Sequence, residues 1–131
     1  PMNVPEPLLP LLDLIIVQYR LYVKGKGIER RVLHVTEVSS MENKPLLSNL
    51  FEWDRNTDQI KRTNVPARLI ERVAEKTLKS KKEIEKEIKV RQRILKWMLK
   101  NNIRSHPEVE TLIQRYYYDP DSLLQEIFSS S

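Results

Sequence analysis

The apolar positions change their period once along the chain, near residue 64. Before that point they recur at every second residue, and after it at every third or fourth. The run Leu14-Ile15-Ile16-Val17 is apolar throughout. It then alternates, with Tyr19, Leu21 and Val23 on one face and Gln18, Arg20, Tyr22 and Lys24 on the other. A continuous apolar run suits a strand covered on both faces, and alternation suits one with a wet face. This strand is therefore predicted to begin in a larger core and end at its rim. Gly25-Lys26-Gly27 holds both glycines of the chain and predicts a tight turn, since glycine takes positive φ without a Cβ clash. A second strand is predicted from about Arg30 to Val38, then a polar loop from Ser39 to Pro45. A third strand is expected through Leu46-Leu47 and Leu50 to Trp53. A turn at Asp54 to Asp58 and a short strand at Gln59 to Thr63 complete an antiparallel meander.

Helical grammar follows. Asn64-Val65-Pro66 predicts a helix start, with Asn as cap and Pro in the first turn. Its apolar stripe is Leu69, Ile70, Val73, Ala74 and Leu78. Ser80-Lys81-Lys82-Glu83 is a capping box opening a second helix. The expected core stripe of that helix is Ile84, Ile88, Leu95, Met98 and Leu99, with Trp97 beside it, and Asn101-Asn102 ends it. A further box at Ser105 to Glu108 starts a helix with Val109, Leu112, Ile113, Tyr116 and Tyr117 on one face. Asp119-Pro120 caps a last helix bearing Leu123, Leu124, Ile127 and Phe128. The reading is an α+β fold: a β-rich part over 1–64 and a subdomain of about four helices over 65–131. Residues 1–13 hold four of the eight prolines and read as an extended lead-in or a short helical turn around Leu8 to Leu12.

Composition narrows the chemistry. At 131 residues the chain is one domain or two small units. It has no cysteine, which excludes disulfides, thiolate metal sites and a cysteine nucleophile. The apolar stretch from Leu8 to Val17 is broken by Pro10 and Asp13, well short of the ~18 residues of a membrane helix. Pro1 before Met2 reads as a piece cut from a longer protein, or as a cloning remnant. The net charge is +5. Residues 1–64 carry nine Lys/Arg against eight Asp/Glu, and residues 65–131 carry fourteen against ten. Lysines interleaved with glutamates read as a solvated helix surface. The rival reading is a basic module that binds nucleic acid or an acidic protein through helix 81–100.

With two glycines in a turn, no phosphate-cradling loop is present. His34 and His106 have no partner at metal-ligand spacing, so no metal site is expected. The serines sit in caps, loops and the tail, away from any elbow-type turn. Glu37 reads as a buried acid or an edge contact. Tyr116-Tyr117-Tyr118 raises base stacking, but Tyr116 and Tyr117 fall on the apolar stripe and read as core. Arg91, Arg93, Lys96 and Lys100 form a basic ridge without a recognition-helix motif.

The order of segments carries more than any one of them. Asn3-Val4-Pro5 is followed by Leu11 to Gln18 (LLDLIIVQ), Arg20, the glycine turn, Arg30-Arg31-Val32 and Thr36-Glu37-Val38. Phe51 to Asp54 (FEWD), Arg93 to Met98 (RILKWM), Asn101 to Arg104 (NNIR) and Tyr116 to Pro120 (YYYDP) come after. This combination resembles the C-terminal end of the type II/type IV secretion superfamily ATPases, nearest to the archaeal branch that assembles pili and archaella. The resemblance implies a cytoplasmic homo-hexameric motor, peripheral to the membrane, that hydrolyses ATP with Mg and pushes on a membrane platform protein. The phosphate-binding and acidic motifs of such motors precede the segment seen here, so this chain is expected to hold no cofactor and no catalytic residue itself. It would supply the last strands of a RecA-like core and a helical subdomain. Its expected partners are the rest of that core and the neighbouring subunits, with nucleic acid not among them. By position, Gln18, Arg20, Arg30 and Arg31 are the candidates for contact with nucleotide or a neighbouring subunit.

Overall fold

A computed structural model describes residues 12–41 and 44–129. All but the last two residues of the proline-rich lead-in lie outside the described residues. Four strands, β1 (Leu14–Val23), β2 (Gly27–Met41), β3 (Lys44–Asp54) and β4 (Gln59–Arg62), precede four helices. These are α1 (Arg68–Thr77), α2 (Lys81–Lys100), α3 (His106–Tyr118) and α4 (Pro120–Ser129). The fold is α+β, as the change of period predicts. The chain divides into two compact units between Thr77 and Leu78. The division expected at residue 64 lies one helix earlier than this, because α1 belongs with the sheet.

In the first unit the strands form one antiparallel sheet in the order β1-β2-β3-β4. Gly25 and Gly27 both take φ of 83°, and Lys26 N donates to the Val23 carbonyl at 3.0 Å, closing the expected turn. β2 is longer than its apolar pattern indicated. Ser39, Ser40 and Met41 stay in the ladder opposite Leu46, Pro45 and Lys44, so most of the expected polar loop is strand. The ladder's backbone bonds continue to the reversal whatever the side chains.

Two irregularities bend the sheet. Leu33 has no partner in the β1–β2 register, and Leu50 has none in the β2–β3 register. An extra residue sharpens local twist. The bulged Leu50 is buried, and its carbonyl accepts from Thr63 N at 2.9 Å and Arg62 Nη1 at 2.8 Å.

The start of α1 differs from the expected cap at Asn64. The helix begins at Arg68, and Glu37 of β2 caps it from across the fold. Arg68 N donates to Glu37 Oε2 at 3.1 Å, and Leu69 N donates to Glu37 Oε1. Glu37 is 1% exposed. A carboxylate suits this position because the first amides of a helix lack partners and carry partial positive charge. Arg72 adds to the junction, with Nη2 donating to the Val38 carbonyl at 3.4 Å and Nη1 lying 3.2 Å from Asp13 Oδ1. Beside it, buried Thr36 donates to Asn49 Oδ1 at 2.7 Å. Leu78, expected on the helix stripe, lies past the helix end with φ of 55° and is exposed.

In the second unit the Ser80 capping box opens α2, with both reciprocal bonds to Glu83 present. The Ser105 hydroxyl accepts from Glu108 N at the start of α3. Ile94 and Met98 of α2 meet Leu123 and Ile127 of α4 in the core, with Trp97, Leu112 and Tyr116 packed around them. The stripe of α2 is thus rotated from the one predicted. Ile84 and Met98 are buried as expected, but Ile88, Leu95 and Leu99 are exposed. The helix carries two apolar stripes, and α4 covers the one through Ile94. Tyr116 is half-buried and donates to Glu87 Oε1 at 2.6 Å, whereas Tyr117, also expected in the core, is 66% exposed. That bond from Tyr116 is the main reason the Glu87 carboxyl is held below its usual range. Among the described residues, no helix is long and apolar enough to cross a membrane.

Candidate interaction face on the first hairpin

The four candidates all lie on the β1–β2 hairpin, but the pleat separates them. Arg20 stands directly opposite Arg30, Gln18 opposite Val32, and Tyr22 opposite Ile28. Partners directly opposite in an antiparallel ladder share a face, about 4.5–5.5 Å apart at Cβ. One face of the hairpin therefore gathers Gln18, Arg20 and Arg30, flanked by exposed Tyr22 and Ile28. Like charges directly opposite destabilise a ladder. Neither Arg20 nor Arg30 makes an ion pair or a side-chain hydrogen bond among the described residues.

Arg31 points to the other face and is occupied. Its Nε donates to Asp58 Oδ1 at 2.7 Å and its Nη2 to Asp58 Oδ2 at 2.9 Å, and it also pairs with Glu29. Asp58 sits in the turn between β3 and β4 with φ of 52°, a left-handed position that Asp tolerates. It also accepts from Trp53 Nε1 at 2.9 Å. The hydrogen bond from Arg31 is the main cause that lowers the Asp58 carboxyl to about 2, with Trp53 adding to it. The nearby Asp54 is likewise lowered to about 2, chiefly by Lys61. Arg31 is thus a brace between the hairpin and the next turn, and Arg20 and Arg30 are the arginines presented outward.

Among the described residues β1 is the terminal strand of the sheet, and β2 from Gly27 to Val32 has β1 as its ladder partner while β3 pairs only from His34 onward. The hairpin tip is a two-stranded ribbon, a form that is marginal alone. Its outer strand is ten residues long, contains no proline, and leaves Ile16 61% exposed, with Leu14, Tyr19 and Tyr22 exposed as well. Proteins normally cover or blunt such an edge. The shared face of Gln18, Arg20 and Tyr22 was legible from their alternation. Their pairing with Arg30 was not, because it depends on the register that the turn and the bulge at Leu33 set.

Both glycines belong to the hairpin turn, and among the described residues no group of three His, Asp or Glu is placed to hold a metal ion.

No protein-family model matches the chain. Over 130 residues it is 33% identical to the uncharacterized protein MJ0781 of Methanocaldococcus jannaschii, an alignment covering 97% of this chain and 18% of that protein. Over 118 residues it is 30% identical to the uncharacterized protein MJ1287 of the same organism, covering 88% of this chain and 42% of the relative. The chain spans less than half the length of the curated relatives it matches.

Proposed function

We propose that this chain is the C-terminal part of a secretion or pilus-assembly ATPase of the type II/type IV superfamily, acting within a cytoplasmic homo-hexamer against a membrane platform protein. The observation that carries the reading is the β1 edge, where, among the described residues, an apolar strand ends the sheet with Ile16 exposed. Such an edge fits a strand that continues into a larger sheet supplied by the rest of the parent. The order of the segments from Leu11 to Pro120 supports the same assignment. So does the match of nearly the whole chain to a fraction of a much longer relative. Arg20 and Arg30, with Gln18 beside them, are the groups that would face a neighbouring subunit or its nucleotide. ATP and Mg belong to the parent, and the residues of this chain would supply shape and contact, not phosphate chemistry. Calorimetric titration of the chain with MgATP tests the division of labour. The expected result is no tight binding, and binding in the micromolar range would overturn the reading.

A further inference from the structure

We propose that the face shared by α2 and α3 is a docking groove for an acidic amphipathic helix of a partner protein. The groove is a cavity of about 240 Å³ with Ile94 and Met98 among its lining, and Leu95, Ile113 and Tyr117 stand exposed around it. Ile88 and Leu99, the latter 60% exposed, extend the same stripe along α2. On one side Arg91 forms a ledge, its guanidinium 5.6 Å from the Tyr116 ring and 5.8 Å from the Tyr117 ring. The concavity continues along α3 past Ile113 and Tyr117 to Arg104 and to His106, whose Nδ1 lies 3.8 Å from the Glu110 carboxylate in the same lining.

The charges around this floor select the occupant. Each exposed apolar residue of α2 is followed by a lysine: Ile88-Lys89, Leu95-Lys96 and Leu99-Lys100. Successive helical residues are rotated by about 100°, so the three lysines form a row beside the apolar stripe. No acidic residue lies on α2 between Lys89 and Lys100, and none of these lysines has an ion-pair partner among the described residues. An exposed apolar stripe at i, i+7 and i+11 that enters the groove at Leu95, with a row of lysines along its outer side, matches a helix that has an apolar stripe and carboxylates along one flank. A second copy fits less well, because residues 78–131 carry eleven Lys/Arg against eight Asp/Glu and would meet like charge. A lipid surface fits less well, because Leu95, Ile113 and Tyr117 line a concave groove.

The test uses the full chain and a labelled synthetic peptide of about five helical turns, with leucines on one stripe and glutamates on one flank. Fluorescence anisotropy should show saturable binding. Leu99→Asp, and separately the pair Lys96→Glu with Lys100→Glu, should each weaken it about tenfold or more. The same peptide with lysines in place of glutamates should bind the native chain about tenfold more weakly and recover on the charge-reversed chain. These positions are exposed, so the variants should keep their circular dichroism and melting temperature. Equal binding of the two peptides, binding indifferent to Leu99→Asp, or no binding of either would overturn the proposal. So would association with phosphatidylglycerol vesicles or self-association in sedimentation that Leu99→Asp abolishes while the peptide stays unbound.

Discussion

Glu37 offers the sharpest test of how the sheet unit is held together. Its buried carboxylate accepts from the first two amides of α1, and Arg72 Nη2 lies 3.9 Å away. Hydrogen bonds to a charged group contribute about 1.5–3 kcal/mol each, and the two here would lose part of that when water reaches the freed amides. Glu37→Ala should therefore destabilise the sheet unit by about 3 kcal/mol. For a domain of this size that corresponds to a fall in melting temperature of roughly 12–24 °C. Glu37→Gln should cost less, about 1–2 kcal/mol, because the amide keeps one acceptor but turns its NH2 toward the other donor. The two tryptophans allow a clean assay, since Trp53 lies in β3 and Trp97 in α2. Guanidinium unfolding of Trp97→Phe chains, followed by Trp53 fluorescence, reports the sheet unit alone. A Glu37→Ala transition within ~0.5 kcal/mol of its parent would refute the claim that this carboxylate holds α1 to β2.

Other consequences follow from single residues. The Asp58 carboxyl is lowered to about 2 by Arg31, so its contribution is complete above the unfolded value near ~3.9 and is lost as pH falls through about 2. Melting temperature should therefore drop between those limits, and less steeply in Asp58→Asn, as a calorimetric pH series will read. Arg30→Glu replaces a like-charge cross-strand pair with an opposite one and should stabilise the sheet unit by ~0.2–1 kcal/mol, measured by the same unfolding assay. Met98→Ala should cost ~2–5 kcal/mol because Met98 lies in the helical core. The neighbouring Leu99→Ala, on the exposed stripe, should stay within ~0.5 kcal/mol.

The elements themselves were legible in the sequence because their signals are local. The Gly25-Lys26-Gly27 turn, the Ser80 box and the change of period near residue 64 each act over a few residues. Long-range contacts were not legible. Glu37 had no partner within reach along the chain, since the amides it caps come more than thirty positions later. Asn64 is the cap of α1 that local signals favour, because nothing local points to a carboxylate from another strand. The inward stripe of α2 is ambiguous in the sequence for a related reason. Two apolar stripes satisfy helical periodicity about equally, and only the placement of α4 decides between Ile94 and Leu95 as the inward residue. The hairpin candidates divide on the same principle. Alternation shows that Gln18 and Arg20 share a face, but only register sets Arg30 beside them and turns Arg31 toward Asp58.

The claim that this chain completes a larger motor is tested most directly on its longer relative MJ0781. Steady-state ATP hydrolysis should be measured for that protein whole, and for the same protein without the stretch that aligns with these residues. The expected result is Mg-dependent hydrolysis by the whole protein that is lost on deletion and restored in part when this chain is added, but not when it carries Ile16→Lys on the β1 edge. A relative that hydrolyses no ATP, or one whose rate is indifferent to the deletion, would contradict the account.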